Sequence, residues 1–221
     1  MKIKWYAHAA FLIQSGDLRI VTDPYTPESM GFSEITEPAN VVIRSSADDG
    51  GHCNADMIRG NPTVITATEI IGTGAKVDGL TVGAVGTQES LIHKEVPLDN
   101  AMYWFTLEGM RIAHMGDLGN ALTSEQIAPL IGADILFPPT GGAPTIELED
   151  LYDAIQIIRP RLIFPMHYML PTATFDMLPI EAFLWYFSPT SVKWIDGSEF
   201  EVTHDTLPAE QQVIILKPST P

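Results

Sequence analysis

The sequence predicts an α+β fold in which two mixed β-sheets pack face to face and helices lie outside them. Three observations carry that expectation. Short apolar runs recur along the chain between Gly, Pro and Asp turn signals. Strands dominate the first half, and strand–helix alternation follows in the second. Four runs (19–23, 41–44 leading into the loop 45–52, 111–117 and 162–167) end at once in Asp or His, so one sheet edge could collect several acids and imidazoles.

Residues 2–6 and 10–14 open the chain as strands, and Ser15-Gly16-Asp17 turns the second into a third at 18–22. Asp23-Pro24 closes that strand, because proline has no N–H for a ladder. A buried strand follows at 41–44, then a helix at 54–59 stopped by Gly60-Asn61-Pro62. Residues 64–66, 77–82 and 101–107 read as strands, and Glu108-Gly109 turns the last into 111–114. Thr123 and Gln126 form a capping-box pattern that opens a helix to about residue 131. A strand at 135–138 is broken by Gly141-Gly142. The helix predicted at 146–158 sets Leu148, Leu151, Ile155 and Ile158 on one face. A strand at 162–165, a helix at 180–187 and strands at 192–195, 200–202 and 213–216 complete the chain. Phe183, Trp185, Tyr186 and Phe187 are expected in the core. No linker or low-complexity tract divides the sequence, so residues 1–221 are expected to form a single domain.

The net charge of −16, from 28 acids against 12 bases, repels phosphate backbones and argues against a nucleic-acid partner. A small-molecule substrate fits better, and a bulky polyanion is disfavoured. No apolar run reaches the ~18 residues of a membrane span. The opening residues show no apolar signal region. Cys53 is the single cysteine and cannot form an internal disulfide, which fits a reducing cytoplasm; a buried thiol is the expectation for it. Oligomeric state is not legible.

Several segments, taken in order, resemble one branch of the metallo-β-lactamase superfamily, the zinc-dependent hydrolases similar to ascorbate-phosphate lactonases. Residues 5–13 (Trp5-Tyr6-Ala7-His8-Ala9-Ala10-Phe11-Leu12-Ile13) resemble its W-x-G-H-A-x-F-x-I opening, and Val21-Thr22-Asp23-Pro24 its x-x-D-P strand end. His114-Met115-Gly116-Asp117-Leu118-Gly119 resembles H-x-G-D-x-G, and Pro165-Met166-His167-Tyr168 resembles P-M-H-Y. The likeness implies a four-layer αββα sandwich. It breaks in the loop after residue 44, where the family carries H-x-H-x-D-H and this chain has Ser45-Ser46-Ala47-Asp48-Asp49-Gly50-Gly51-His52. Counted forward from Asn40, the motif falls on Ser46, Asp48, Gly50 and Gly51; counted back from Gly60, its last position is His52. The family's next histidine falls near Glu89, with His93 four residues on.

The resemblance implies that Asp117 and His167 are metal ligands. With His93 or else Glu89, and with His52 or else Asp48 or Asp49, they would form a mixed nitrogen and oxygen set for one divalent ion, zinc or else manganese or iron. Asp48, Asp49 and Glu89 are the candidates for acid–base catalysis. His8, Asp23 and His114 are expected behind the ligands, with purely structural roles the alternative for each. His204 is expected in solvent. The reading that follows is a metal-dependent hydrolase of a small ester, lactone, amide or related bond, with a remodelled, mononuclear site. The alternatives are a binding protein that kept the fold and no metal, and a metal-free acid–base enzyme on the same scaffold.

Overall fold

The computed structural model describes residues 1–47, 49–89 and 99–219. The first half contains β1 (Lys2–Ala7), β2 (Ala10–Ser15), β3 (Leu18–Thr22), α1 (Pro27–Met30), β4 (Val41–Arg44), β5 (Thr63–Thr66), β6 (Ala75–Val77) and β7 (Leu80–Thr87). The chain continues through β8 (Asn100–Leu107), β9 (Met110–His114), α2 (Ser124–Ile127), β10 (Ile135–Phe137), α3 (Leu148–Ile158) and β11 (Leu162–Ile163). It ends with α4 (Ile180–Leu184), β12 (Val192–Trp194), β13 (Glu199–Glu201) and β14 (Gln212–Ile215).

These strands form two mixed sheets, one ordered β13-β1-β2-β3-β4-β5 and the other β12-β14-β11-β10-β9-β8-β7-β6. The sheets share one buried apolar cluster that includes Ile3, Phe11 and Val42 from the first and Phe105, Ile112 and Phe137 from the second. Burying such a side chain contributes about 1.5–3 kcal/mol. The amphipathic helix α3 turns Leu148, Leu151, Ala154, Ile155 and Ile158 inward, so the expected stripe is the buried face.

Where strands run parallel, their C-terminal ends lie at the same edge. β3 pairs with β4 in parallel, as does β9 with β10 and β10 with β11. Asp23, the loop after Arg44, Asp117 and His167 therefore leave their strands in the same sense within each sheet. The two sheets are joined at this edge by polar contacts: His114 Nε2 lies 3.1 Å from the Ala9 carbonyl, and the His167 amide donates to the His8 carbonyl over 3.3 Å.

Several expected elements differ. The run 77–82 is not one strand. Asp78 (φ 46°) and Gly79 (φ 83°) turn β6 back onto β7, with Val77 opposite Leu80, because an Asp-Gly pair adopts the left-handed angles of a tight hairpin turn. The helix expected at 54–59 is only a 3-10 turn at Ala55–Met57, and the last helix stops at Leu184. The Thr123–Gln126 capping box is present, but α2 passes into a 3-10 turn at Ala128–Leu130 with Pro129 in it. Phe183 is buried, whereas Trp185 is 88% exposed, so the aromatic run is not wholly core. Cys53 is only half-buried.

Candidate metal centre

Asp23 follows β3 in a left-handed backbone conformation (φ 36°) and is fully buried. The Ser45 amide donates to its Oδ1 over 2.8 Å and the Ser45 hydroxyl to its Oδ2 over 2.6 Å. The Tyr103 hydroxyl adds a third bond, to Oδ1 over 3.2 Å. His52 Nδ1 lies 2.9 Å from Asp23 Oδ2. A carboxylate can only accept, so Nδ1 carries the hydrogen and Nε2 is turned the other way. Burial pushes the Asp23 carboxyl up, but His114, His52 and Ser45 together pull it below the ordinary value. Asp23 is thus a fixed anion that sets the orientation of His52.

His52 Nε2 faces two further carboxylates, Asp49 Oδ2 at 3.6 Å and Asp117 Oδ2 at 3.7 Å. His167 Nε2 lies 3.2 Å from Asp117 Oδ1. His8, in the tight connection between β1 and β2, packs its ring 3.9 Å from that of His167 and 4.8 Å from that of His52. His8 (φ 51°) and His167 (φ 55°) share the left-handed conformation of Asp23, a strained state for these residues that clusters at functional sites.

Close approach of the backbone completes the arrangement. A Cβ on Gly51 would come within 3.0 Å of His8 Nε2. A Cβ on Gly116, before Asp117, would lie 2.4 Å from both Asn100 Oδ1 and Ser45 Cβ, and its φ of 59° also suits glycine. Asn100 Oδ1 in turn accepts the Asp117 amide at 3.0 Å.

The electrostatics leave negative charge in surplus. Burial opposes a charged His52, yet Asp49, Asp117 and Asp23 outweigh it and hold the ring up at about 10. Burial pushes the Asp117 carboxyl up, His52 pulls it down, and Asp49 and Glu89 push it further, to about 8. Burial also drives His8 and His167 well below the ordinary histidine range. Five buried polar atoms here have no hydrogen-bond partner: His8 Nδ1, Asp49 Oδ2, His52 Nε2, Asp117 Oδ1 and His167 Nδ1. Orphaned buried groups are costly, and their concentration in one place needs a reason. Two overlapping triads could hold an ion, His8–His52–His167 and Asp49–His52–Asp117, each with ligand atoms within 4.8 Å of one another. A mixed imidazole and carboxylate donor set suits a borderline divalent cation.

Of the other residues singled out in the sequence, His114 has both ring nitrogens engaged. Its Nε2–H donates to Ala9, and its Nδ1 accepts the Gly116 amide at 3.1 Å, which shapes the turn into Asp117. Glu89 is close enough for its charge to act on Asp117, and its amide donates to Asp99 Oδ1 at 2.9 Å. Asp48 and His93 lie outside the described residues. His204 is solvent-exposed. Sequence reasoning missed Tyr103 and Ser45, the partners of Asp23. A tyrosine within the apolar run of β8 was the available signal, since a buried phenol seeks a partner. It also missed the wall formed by Phe175 and Met177, which with Ser29 and Met30 encloses a cavity of about 330 Å³ opening onto His8, Asp49, His52, Asp117 and His167.

Comparison with known proteins agrees with this picture. The beta-lactamase superfamily domain matches residues 2–167. A metal-dependent hydrolase of Pyrobaculum islandicum is 27% identical, over 76% of this chain and 84% of its own. One from Thermoplasma acidophilum is 27% identical, over 80% and 86%. A crystal structure of a metallo-beta-lactamase superfamily protein from Thermotoga maritima superposes with a TM-score of 0.78 at 28% identity, covering 97% of each chain. With that match across most of its length and the same two-sheet architecture, the chain belongs to the beta-lactamase superfamily domain family.

Proposed function

We propose that this chain is a metal-dependent hydrolase of small molecules, with one divalent ion held by His8, His52, Asp117 and His167. The carrying observation is spacing. Ligands about 2.0–2.1 Å from a tetrahedral zinc ion stand roughly 3.4 Å apart. The separations of 3.7 Å between His52 and Asp117 and 3.2 Å between His167 and Asp117 are of that size, and His8 brings a ring nitrogen within 4.8 Å of those of His52 and His167. Family membership and the metal-dependent relatives point the same way. Zinc, manganese and iron all suit the donor set.

Bound there, a divalent ion would supply Lewis acidity, lowering the proton affinity of a water and polarising a carbonyl. The protein supplies position and proton transfer. Asp23 holds the His52 ring so that Nε2 faces the cavity. Asp49 has Oδ1 fixed by the Gly51 amide at 2.9 Å and Oδ2 unpartnered, so Oδ2 can take the proton of the attacking water. The substrate is a small ester, lactone, amide or related compound.

Metal analysis of tag-free protein tests this reading, before and after chelator treatment and reloading with zinc, manganese or iron. About one ion per chain is expected, retained in Asp49→Asn with turnover lost, and abolished in His52→Ala and His167→Ala. No bound metal under any loading would sink the proposal and return the chain to a binding role or metal-free chemistry.

A further inference from the structure

The cavity has a charge character that bears on what the enzyme accepts, an inference that rests on the hydrolase reading above. Its walls beyond the imidazoles are mainly apolar: Met30, Pro144, Phe175 and Met177, with the carboxylate of Asp176 at the exposed rim. Among the described residues no lysine or arginine lines it. Three carboxylates do, Asp49, Asp117 and Asp176, so a bound divalent ion still leaves a formal charge of −1 (2 − 3). An anionic substituent would enter a low-dielectric pocket against that charge with no cationic side chain among the described residues to pair with it. The apolar wall is anchored, since the Thr174 amide donates to the Met30 carbonyl at 3.3 Å and ties the segment around Phe175 to α1. At about 330 Å³ the space is at the small end of ligand pockets, which run from ~300 to ~1,000 Å³.

We propose that the site selects small acyl substrates that carry no anionic group, seating their apolar part against Met30, Phe175 and Met177, and that Asp176 favours a positively charged substituent. A trimethylammonium group is suited to such a place, because an aromatic face such as Phe175 and a rim carboxylate both attract it.

Three thioacetates of matched shape test this: acetylthiocholine, its neutral 3,3-dimethylbutyl analogue and the thioacetate of 2-mercaptoethanesulfonate, assayed by thiol release with metal-loaded protein. The cationic and neutral esters should exceed the sulfonate in kcat/KM by about tenfold or more, the equivalent of about 1.4 kcal/mol. In Asp176→Lys the cation-to-sulfonate ratio should fall by roughly 1.4–5-fold, the range of exposed charge pairs. A second readout is saturation-transfer NMR of benzyltrimethylammonium and benzenesulfonate on the same metal-loaded protein, where the cation should give the stronger signal. Equal or faster turnover of the sulfonate, or preferential binding of benzenesulfonate, overturns the proposal and leaves the hydrolase reading intact. If no thioacetate is hydrolysed while the cation still binds preferentially, the selectivity stands and the hydrolase reading is the one in doubt.

Discussion

Asp23 and Asp117 are two carboxylates that follow strands at the same edge of the fold, and they meet opposite fates. Both are desolvated, which pushes each carboxyl up. Asp23 accepts from Ser45 twice, from Tyr103 and from His52, and ends below the ordinary value. Asp117 accepts no hydrogen bond at Oδ1, where only His167 Nε2 stands 3.2 Å away, shares His52 with Asp49 and is pushed up to about 8. The number of donors, not burial, separates them. Asp23 belongs to a finished hydrogen-bond network, whereas Asp117 is left short of donors.

Converting the finished side into an unfinished one should give the largest effect. In Asp23→Asn the carbonyl oxygen can still accept from Ser45, but the amide presents hydrogens toward His52 Nδ1, which also carries one. The imidazole must then turn or change tautomer, and Nε2 loses its fixed direction. Metal affinity is expected to fall by about 10–100-fold, the usual penalty for losing the partner behind a ligating histidine. Calorimetric titration with zinc reads this directly. Unchanged affinity would mean that Asp23 only supports the fold.

A second contrast is visible in pH. In metal-free protein His52 (about 10 against 6.5) and Asp117 (about 8 against 3.8) both have raised values, so the native state holds more protons than the unfolded one. The stability this provides is complete below the unfolded values and is lost as pH rises through the folded ones. In metal-free protein the Asp117 contribution should therefore fall between about pH 4 and 8 and that of His52 between about pH 6.5 and 10, so the loss is steepest where the two overlap. In metal-loaded protein the ion replaces those protons, and the decline should vanish. Denaturant midpoints of the two forms across that range provide the measurement. The same slope in both would show that these groups do not share the ion's place.

The comparison also explains what could be read from the sequence. The strand ends carrying Asp23, Asp117 and His167 were legible because an apolar run ending in a polar residue is a local pattern. The loop 45–52 was not, because without periodicity or regular structure its register is free; tertiary contacts with Asp23 and Asp117 bury His52 and aim Asp49 at it. The structure puts His8 in the cavity wall with His52 and His167, where the sequence suggested a place behind the ligands. The wall around Phe175 comes from residues far along the chain, brought back by hydrogen bonds from Thr174 to Ser29 and Met30. Val77 and Leu80 lie on two strands rather than one because Asp78 and Gly79 between them take left-handed turn angles, a local signal that their apolar character obscures.

The subtlest probe removes one donor from the finished side. Tyr103→Phe deletes the 3.2 Å bond to Asp23 Oδ1 and leaves the two Ser45 bonds and His52 in place. The ring, stacked 4.9 Å from His114, fits unchanged, so the loss should be that of one hydrogen bond to a charged group, about 1.5–3 kcal/mol of stability. Asp23 keeps its remaining donors, so metal affinity should move by less than in Asp23→Asn. Urea unfolding and zinc titration of the same variant separate the two effects. If stability falls while affinity holds, the network is redundant in orienting His52 and additive in holding the sheets. If affinity falls as far as in Asp23→Asn, Tyr103 is itself required to position the histidine through Asp23.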